Sequence, residues 1–101
     1  MLESEYQQKL RQKIETIFPE CVVLKNDPNY LQGFPDLTIL YRNKWAVLEV
    51  KKDISEMSKT TSSIRNQKIY IRQLDKMSFA RFIYPQNEKE VLNELQQAFK
   101  S

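Results

Sequence analysis

Residues 33–52 read GFPDLTILYRNKWAVLEVKK, and this stretch decides the fold. Its two apolar segments, Leu37–Tyr41 and Trp45–Val50, are rich in β-branched and aromatic residues, which favour strands. A tight turn near Arg42-Asn43 separates them, so a β-hairpin is expected. The outer ends of the two strands carry charged residues, namely Asp36, Glu49 and Lys51.

Side chains alternate along a strand, so the second strand presents two faces. Trp45, Val47, Glu49 and Lys51 share one face, and Ala46, Leu48 and Val50 share the other. Both faces are apolar until the charges begin, which predicts a central strand covered on both sides. If Tyr41 pairs with Lys44, counting back sets Asp36 opposite Glu49, whereas a slip of one residue separates the two acids.

Two carboxylates that face each other across a strand pair repel, and a divalent cation between them reverses the sign of the interaction. Oxygen ligands with positions left for water suit Mg²⁺ or Mn²⁺ rather than zinc. Such an ion can activate water, and Lys51 on the same face can orient that water or neutralise developing charge. The alternative interpretation is that Asp36, Glu49 and Lys51 are ordinary solvated strand ends.

The periodicity along the chain predicts one domain over residues 1–101, with the element order αβββαβα. A mixed four-stranded sheet flanked by helices follows, in which the last strand enters through a helical crossover. The segment Lys52–Ser63 is polar and is expected to be mobile. The remaining predicted elements are helices at Glu3–Phe18, Ile64–Met77 and Gln86–Lys100, and strands at Cys21–Lys25 and Ala80–Tyr84.

Apolar residues at helical spacing predict which side chains face the core. Trp45 and Cys21 are also expected to be buried. The helix residues expected to face inward are Leu2, Tyr6, Leu10, Ile14 and Ile17, then Ile64, Ile69 or Tyr70, Leu74 and Met77, and finally Val91, Leu92, Leu95 and Phe99.

Composition excludes several kinds of chemistry. The chain has no histidine and one cysteine, which excludes imidazole catalysis and an intrachain disulfide and argues against a zinc site. A formal net charge of +3 is compatible with a polyanionic partner. The charged N-terminus is unlike a signal peptide, and no apolar run reaches membrane length, so a cytoplasmic protein without membrane contact is expected.

Pro35-Asp36 and Glu49-Val50-Lys51, placed on a strand pair after an acid-bearing helix, resemble the motif of the PD-(D/E)XK nucleases. With the downstream segments IRNQKIYIRQLDKM and SFARFIYP, the chain is similar to the small VRR-NUC domains, many of which occur in phages and prophages. It is also similar to archaeal-type Holliday junction resolvases. The resemblance implies a restriction-endonuclease-like αβββαβ core with an extra C-terminal helix.

The resemblance also implies roles for individual residues. Asp36 and Glu49 would be metal ligands, the Val50 carbonyl a further ligand, and Lys51 the catalytic lysine. The acid of the first helix is either Glu3 or Glu5, and Glu3 is preferred because it continues the inward stripe. Gln67 would touch the active site or the nucleic-acid backbone.

Other residues could contact the substrate. A rim of cations beside the site could follow the phosphates, although such charge is often only a solvated face. Asn26, Asn29 and Tyr30 lie in the loop before Asp36 and could contact a DNA strand, while turn chemistry explains the asparagines equally well. The cations of the rim are Lys52, Lys59, Arg65, Lys68 and Arg72.

The activity that these features imply is a Mg²⁺- or Mn²⁺-dependent DNA endonuclease without a nucleotide cofactor. The resemblance favours branched DNA, four-way junctions above all, in the replication, recombination or repair of DNA, inside the bacterial host if the chain is phage-encoded. Symmetric cutting needs two sites, so a homodimer is expected. The alternatives are a flap, nicked or single-stranded DNA nuclease, an inactive nucleic-acid-binding module, and a structural protein.

Overall fold

The hairpin at the centre of the sequence is formed as predicted. A computed structural model describes residues 1–100 and places strands β2 (Leu37–Tyr41) and β3 (Lys44–Val50) in an antiparallel pair. The pairing runs from Tyr41 opposite Lys44 to Leu37 opposite Leu48. The left-handed backbone of Arg42, with φ of 58°, makes the two-residue turn, as the tight hairpin class requires.

Two further strands complete a mixed sheet of order β1-β2-β3-β4. Strand β1 (Val22–Lys25) pairs antiparallel with β2, and β4 (Phe79–Ile83) pairs parallel with β3. A parallel neighbour needs a crossover connection, which helix α2 (Ser62–Met77) provides. The predicted mixed four-stranded sheet and its helical crossover are therefore confirmed.

Two helices pack on one face of the sheet, and α2 packs on the other. Helices α1 (Glu3–Ile17) and α3 (Glu88–Lys100) share one apolar core with the strand residues of their face. Helix α2 lies over β4 and β3. The buried residues of the two-helix side are Tyr6, Leu10 and Ile14 of α1, and Val91, Leu92, Leu95 and Phe99 of α3.

Two predicted core residues lie at the surface: Leu2, which precedes α1, and Met77 of α2, which is 62% exposed. Of the alternatives Ile69 and Tyr70, Tyr70 is half-buried and Ile69 is 57% exposed. Helix α2 covers only part of the sheet. Only a narrow stripe of its side chains, through Ile64, therefore faces the sheet. Trp45 and Cys21 are half-buried rather than enclosed.

Part of the polar segment predicted to be mobile forms a 3₁₀ helix at Ile54–Ser58. Asp53 caps it by accepting a hydrogen bond of 2.9 Å from the Ser55 amide. Gln86 ties it to the loop after β4, because its amide donates to Asp53 over 2.7 Å and its carbonyl oxygen accepts from the Ile54 amide. Local capping of this kind leaves no apolar period in the sequence, so the pattern did not indicate it.

Among residues 1–100, no helix is both long and apolar enough to cross a membrane.

Candidate active site

Asp36 and Glu49 meet where β2 begins and β3 ends. Leu37 lies opposite Leu48, and each acid is the next residue outward on its chain. One Asp36 carboxyl oxygen accepts a hydrogen bond of 2.8 Å from the Val50 amide. The Val50 amide therefore bonds to the Asp36 side chain rather than to a backbone carbonyl of β2. This bond fixes the position of the Asp36 carboxyl group against β3.

Glu49 is a buried acid, with 3% of its surface exposed. Its pKa is raised from 4.5 to about 9, first by burial and then by the charge of Asp36 and a hydrogen bond with that carboxyl group. Lys51 opposes this rise, and Glu3 adds to it. The Oε1 atom of Glu49 is buried without a hydrogen-bond partner. The burial of Glu49 beside Asp36 therefore disfavours a charged Glu49 carboxylate, and a cation between the two side chains would relieve this.

Lys51 is the buried base of the site. Its Nζ lies 3.6 Å from Oε2 of Glu49, and only 8% of the residue is exposed. Its amide continues the parallel pairing of β3 with β4 by donating to the Ile83 carbonyl over 2.9 Å. The ammonium group is consequently held beside the acid pair by an ordered backbone.

Glu3, rather than Glu5, faces this site. Glu3 is half-buried at the first residue of α1, and Glu5 is exposed. Burial raises the pKa of Glu3, Lys51 lowers it, and Asp36 and Glu56 raise it. A hydrogen bond from the Lys52 backbone amide also lowers it. The first turn of α1 is thereby joined to the end of β3.

Asn26 holds Asp36 from the other side, a role that the sequence pattern did not reveal. Its backbone amide donates to the Asp36 carbonyl over 2.8 Å. Its side-chain amide donates to the Pro35 carbonyl over 2.8 Å and to the Thr38 hydroxyl over 2.9 Å. These bonds engage the side chain of Asn26 within the protein, and its contact with a DNA strand stays a prediction. Its place directly after β1 was the only available signal.

Glu56 is a second residue that the sequence analysis did not place. It lies in the 3₁₀ helix, close enough to Glu3 to raise the pKa of that acid. A hydrogen bond from Lys59 lowers the pKa of Glu56, as do the charges of Lys59, Lys52 and Lys51. The sequence around Glu56 is polar and has no apolar period, so it does not predict where the Glu56 side chain lies in the fold.

Gln67 lies on the sheet-facing side of α2, and its Oε1 is buried without a partner. Buried carbonyl oxygens are nearly always hydrogen-bonded, so Gln67 stands out among the polar residues of α2.

The residues expected to bind nucleic acid are all at the surface: Lys52, Arg65, Lys68, Arg72 and Asn29 are exposed. Lys68 donates to the Met57 carbonyl over 3.1 Å, which links α2 to the 3₁₀ helix. The Asn29 amide donates to Asp27 in a turn. Except for Lys52, whose charge acts on Glu56, these residues have no described contact with the acids.

The donors available to a metal ion are limited. Within residues 1–100, no three side chains of His, Cys, Asp or Glu are grouped to hold an ion, so Glu3 does not form a common ligand set with Asp36 and Glu49. Mg²⁺ is commonly held by one or two carboxylates while it keeps several waters. The unpartnered Glu49 oxygen and the repelling acid pair fit such an ion, with the Val50 carbonyl as the neighbouring backbone donor.

What the site can do follows from these groups. It combines a position for a cation with a buried ammonium group, and it lies at the end of the sheet near the beginning of α1. Comparison of the chain with protein-family models, with curated proteins and with solved structures finds no match.

Proposed function

We propose that the chain is a metal-dependent DNA endonuclease that hydrolyses phosphodiester bonds with Mg²⁺ or Mn²⁺. The observation that carries this proposal is the buried acid pair beside a buried lysine, with one Glu49 oxygen left without a partner. A stability role explains this arrangement poorly. Burying Glu49 and Lys51 together, with one carboxyl oxygen left without a partner, costs free energy that apolar residues in the same places would not.

Each residue of the site has a separate role in the proposed reaction. Asp36, Glu49 and the Val50 carbonyl would hold the ion, which when bound supplies charge stabilisation and an acidified water. Lys51 places a positive charge where the scissile phosphate would gain negative charge, and can orient the attacking water. Glu3 and Gln67 would hold water at the edges of the site.

The resemblance to junction resolvases favours branched DNA as the substrate and a homodimer as the active form. Exposed cations on α2 and at Lys52 support contact with a phosphate backbone. We place this activity in the cytoplasm, in the replication, recombination or repair of phage or bacterial DNA. The second candidate is a nuclease for flaps, nicks or single strands, which shares the same site.

The test is cleavage of labelled junctions, flaps, nicked duplexes and intact duplexes, with and without Mn²⁺. Wild type should cut at least one branched DNA only with the ion, while Asp36→Ala and Lys51→Ala should reduce cutting by at least about a hundredfold. Glu5→Ala is the matched control, because Glu5 is an exposed acid of the same helix as Glu3.

Each alternative predicts a different outcome. An inactive binding module would bind DNA but cut none of the substrates with Mn²⁺. A structural protein would neither bind nor cut. Equal cutting by wild type and Asp36→Ala would contradict the proposed site, since a contaminating nuclease would then explain the activity.

A further inference from the structure

We propose that Tyr30 and Leu31, here called the loop tip, stack against unpaired bases and so direct the site to branched or single-stranded DNA. The proposal rests on the proposed nuclease function and specifies its substrate. It assigns the choice of substrate to the loop before Asp36 rather than to the acids themselves.

The first observation is exposure. Tyr30 is 88% exposed, more than any other large apolar side chain among residues 1–100, and the adjacent Leu31 is 42% exposed. Isolated apolar residues at a surface are common and need no explanation. Two neighbours at the tip of one loop, however, form an apolar projection that water solvates poorly.

The second observation is that the loop tip is held by ordered hydrogen bonds. The Asn29 amide donates to the Asp27 carboxylate over 2.9 Å, and the Tyr30 amide donates to the Asp27 carbonyl over 3.2 Å. The Phe34 amide donates to the Leu31 carbonyl over 3.2 Å. A projection that is already ordered loses little entropy when it meets a ligand.

The loop is also anchored at its C-terminal end. Phe34 packs edge-on against Tyr70 of α2, with ring centroids 5.6 Å apart. Gly33, with φ of 84°, lies so close to α2 that an added Cβ would be 3.0 Å from the Asn66 Cβ. Phe34 is therefore turned toward the helix, whereas Tyr30 and Leu31 are turned to solvent.

The loop tip lies within reach of the candidate active site. Asp36 is the sixth residue after Tyr30, and a chain of that length spans at most about 20 Å. Gly33, three residues after Tyr30, approaches Asn66 of α2, and the same helix carries the exposed cations Arg65, Lys68 and Arg72. An aromatic group beside cations is the combination that single-stranded nucleic acid favours, because phosphates bind the cations and bases stack on the ring.

Intact duplex offers no free base faces, whereas branch points and single strands do. Apolar side chains that enter a base step pay for its unstacking, which is smallest where pairing is already interrupted. The loop tip should therefore add affinity for branched or single-stranded DNA and little for intact duplex.

The experiment uses DNA with 2-aminopurine at the branch point, whose fluorescence changes when its stacking partners change, together with cleavage kinetics in Mn²⁺. Tyr30→Ala should lose the fluorescence response and raise KM for branched DNA about tenfold, as expected for the loss of one stacked base. It should leave kcat and the cutting of intact duplex unchanged. Tyr30→Phe should restore both values, because the ring rather than the hydroxyl makes the contact.

Ile69→Ala is the matched control, since Ile69 is an exposed apolar residue of α2 outside the loop. Wild-type fluorescence and KM in Tyr30→Ala would overturn the proposal, as would an equal loss in Ile69→Ala. So would a change in self-association without a change in DNA binding, which would make the loop tip a protein contact. If wild type binds branched DNA but cuts nothing, the nuclease proposal fails while the fluorescence response still decides the role of the loop tip.

Discussion

Glu49 shows how a single buried residue sets the pH response of the chain. Its pKa is about 9 in the folded protein against 4.5 for an ordinary glutamate, so between these values the folded state holds a proton that the unfolded state has released. Stability from this group is complete below pH 4.5 and is lost as the pH rises toward 9.

We expect metal-free wild type to be less stable at pH 8 than at pH 5, with a slope of at most about 1.4 kcal/mol per pH unit from this group. Glu49→Gln cannot ionise and should flatten most of that slope, although Glu3, whose pKa is also raised, will leave a remainder. Denaturant midpoints measured from pH 5 to pH 8 test this. Curves of the same slope for wild type and Glu49→Gln, with Glu5→Gln as the control, would contradict it.

Individual site residues differed in how far the sequence could reveal them. The pairing of Asp36 with Glu49 was predictable because a two-residue turn and the alternation of side chains leave one register. Glu3 was predictable from helical spacing, because it lies on the inward stripe of Tyr6 and Leu10, whereas Glu5 does not. Asn26 could not be assigned, since an asparagine near a turn has several equivalent partners in the sequence and only the folded chain selects one.

At the scale of elements, the contact between the loop and α2 depends on Gly33. Its φ of 84° is unfavourable for other residues, and a Cβ would approach Asn66 at 3.0 Å. The same loop leads directly into Pro35-Asp36, so a shift there is transmitted to the acid.

We expect Gly33→Ala to lower the free energy of unfolding by about 1–3 kcal/mol and to weaken cutting in parallel. Denaturant unfolding and Mn²⁺-dependent cleavage measure the two effects. Gln32→Ala, an exposed neighbour, should change neither. A Gly33→Ala protein of wild-type stability would show that the loop adjusts without strain.

Elements with a strong apolar period were predictable, and those held by local polar contacts were not. The stripes of α1 and α3 are buried as their spacing indicates, because each helix has one side on the sheet. Met77 lies outside the inward stripe of α2, and Tyr70 rather than Ile69 lies within it, since spacing alone does not tell how wide a stripe the sheet can cover. The 3₁₀ helix had no period to detect.

At the scale of the whole molecule, ion binding should couple to folding. The buried arrangement of Asp36, Glu49 and Lys51 belongs to the folded chain, so an ion that binds there more tightly than to the unfolded chain stabilises the folded state by mass action. We expect Mn²⁺ at a hundred times its dissociation constant to add about 2.7 kcal/mol, which a rise in the thermal midpoint would report. Asp36→Asn should abolish the rise and Glu5→Gln should keep it. An equal rise in wild type and Asp36→Asn would show that the ion binds elsewhere.

The parallel pairing of β3 with β4 also has a consequence for the order in which the elements fold. The β2–β3 hairpin closes through two residues and can form within microseconds, but β4 reaches β3 only after α2 has crossed the sheet. We expect this hairpin to place Asp36 and Glu49 at the same end of a ribbon that is still open to water. Helix α2, which carries Gln67, packs on the sheet only with the crossover, so we expect the two acids to be buried late in folding.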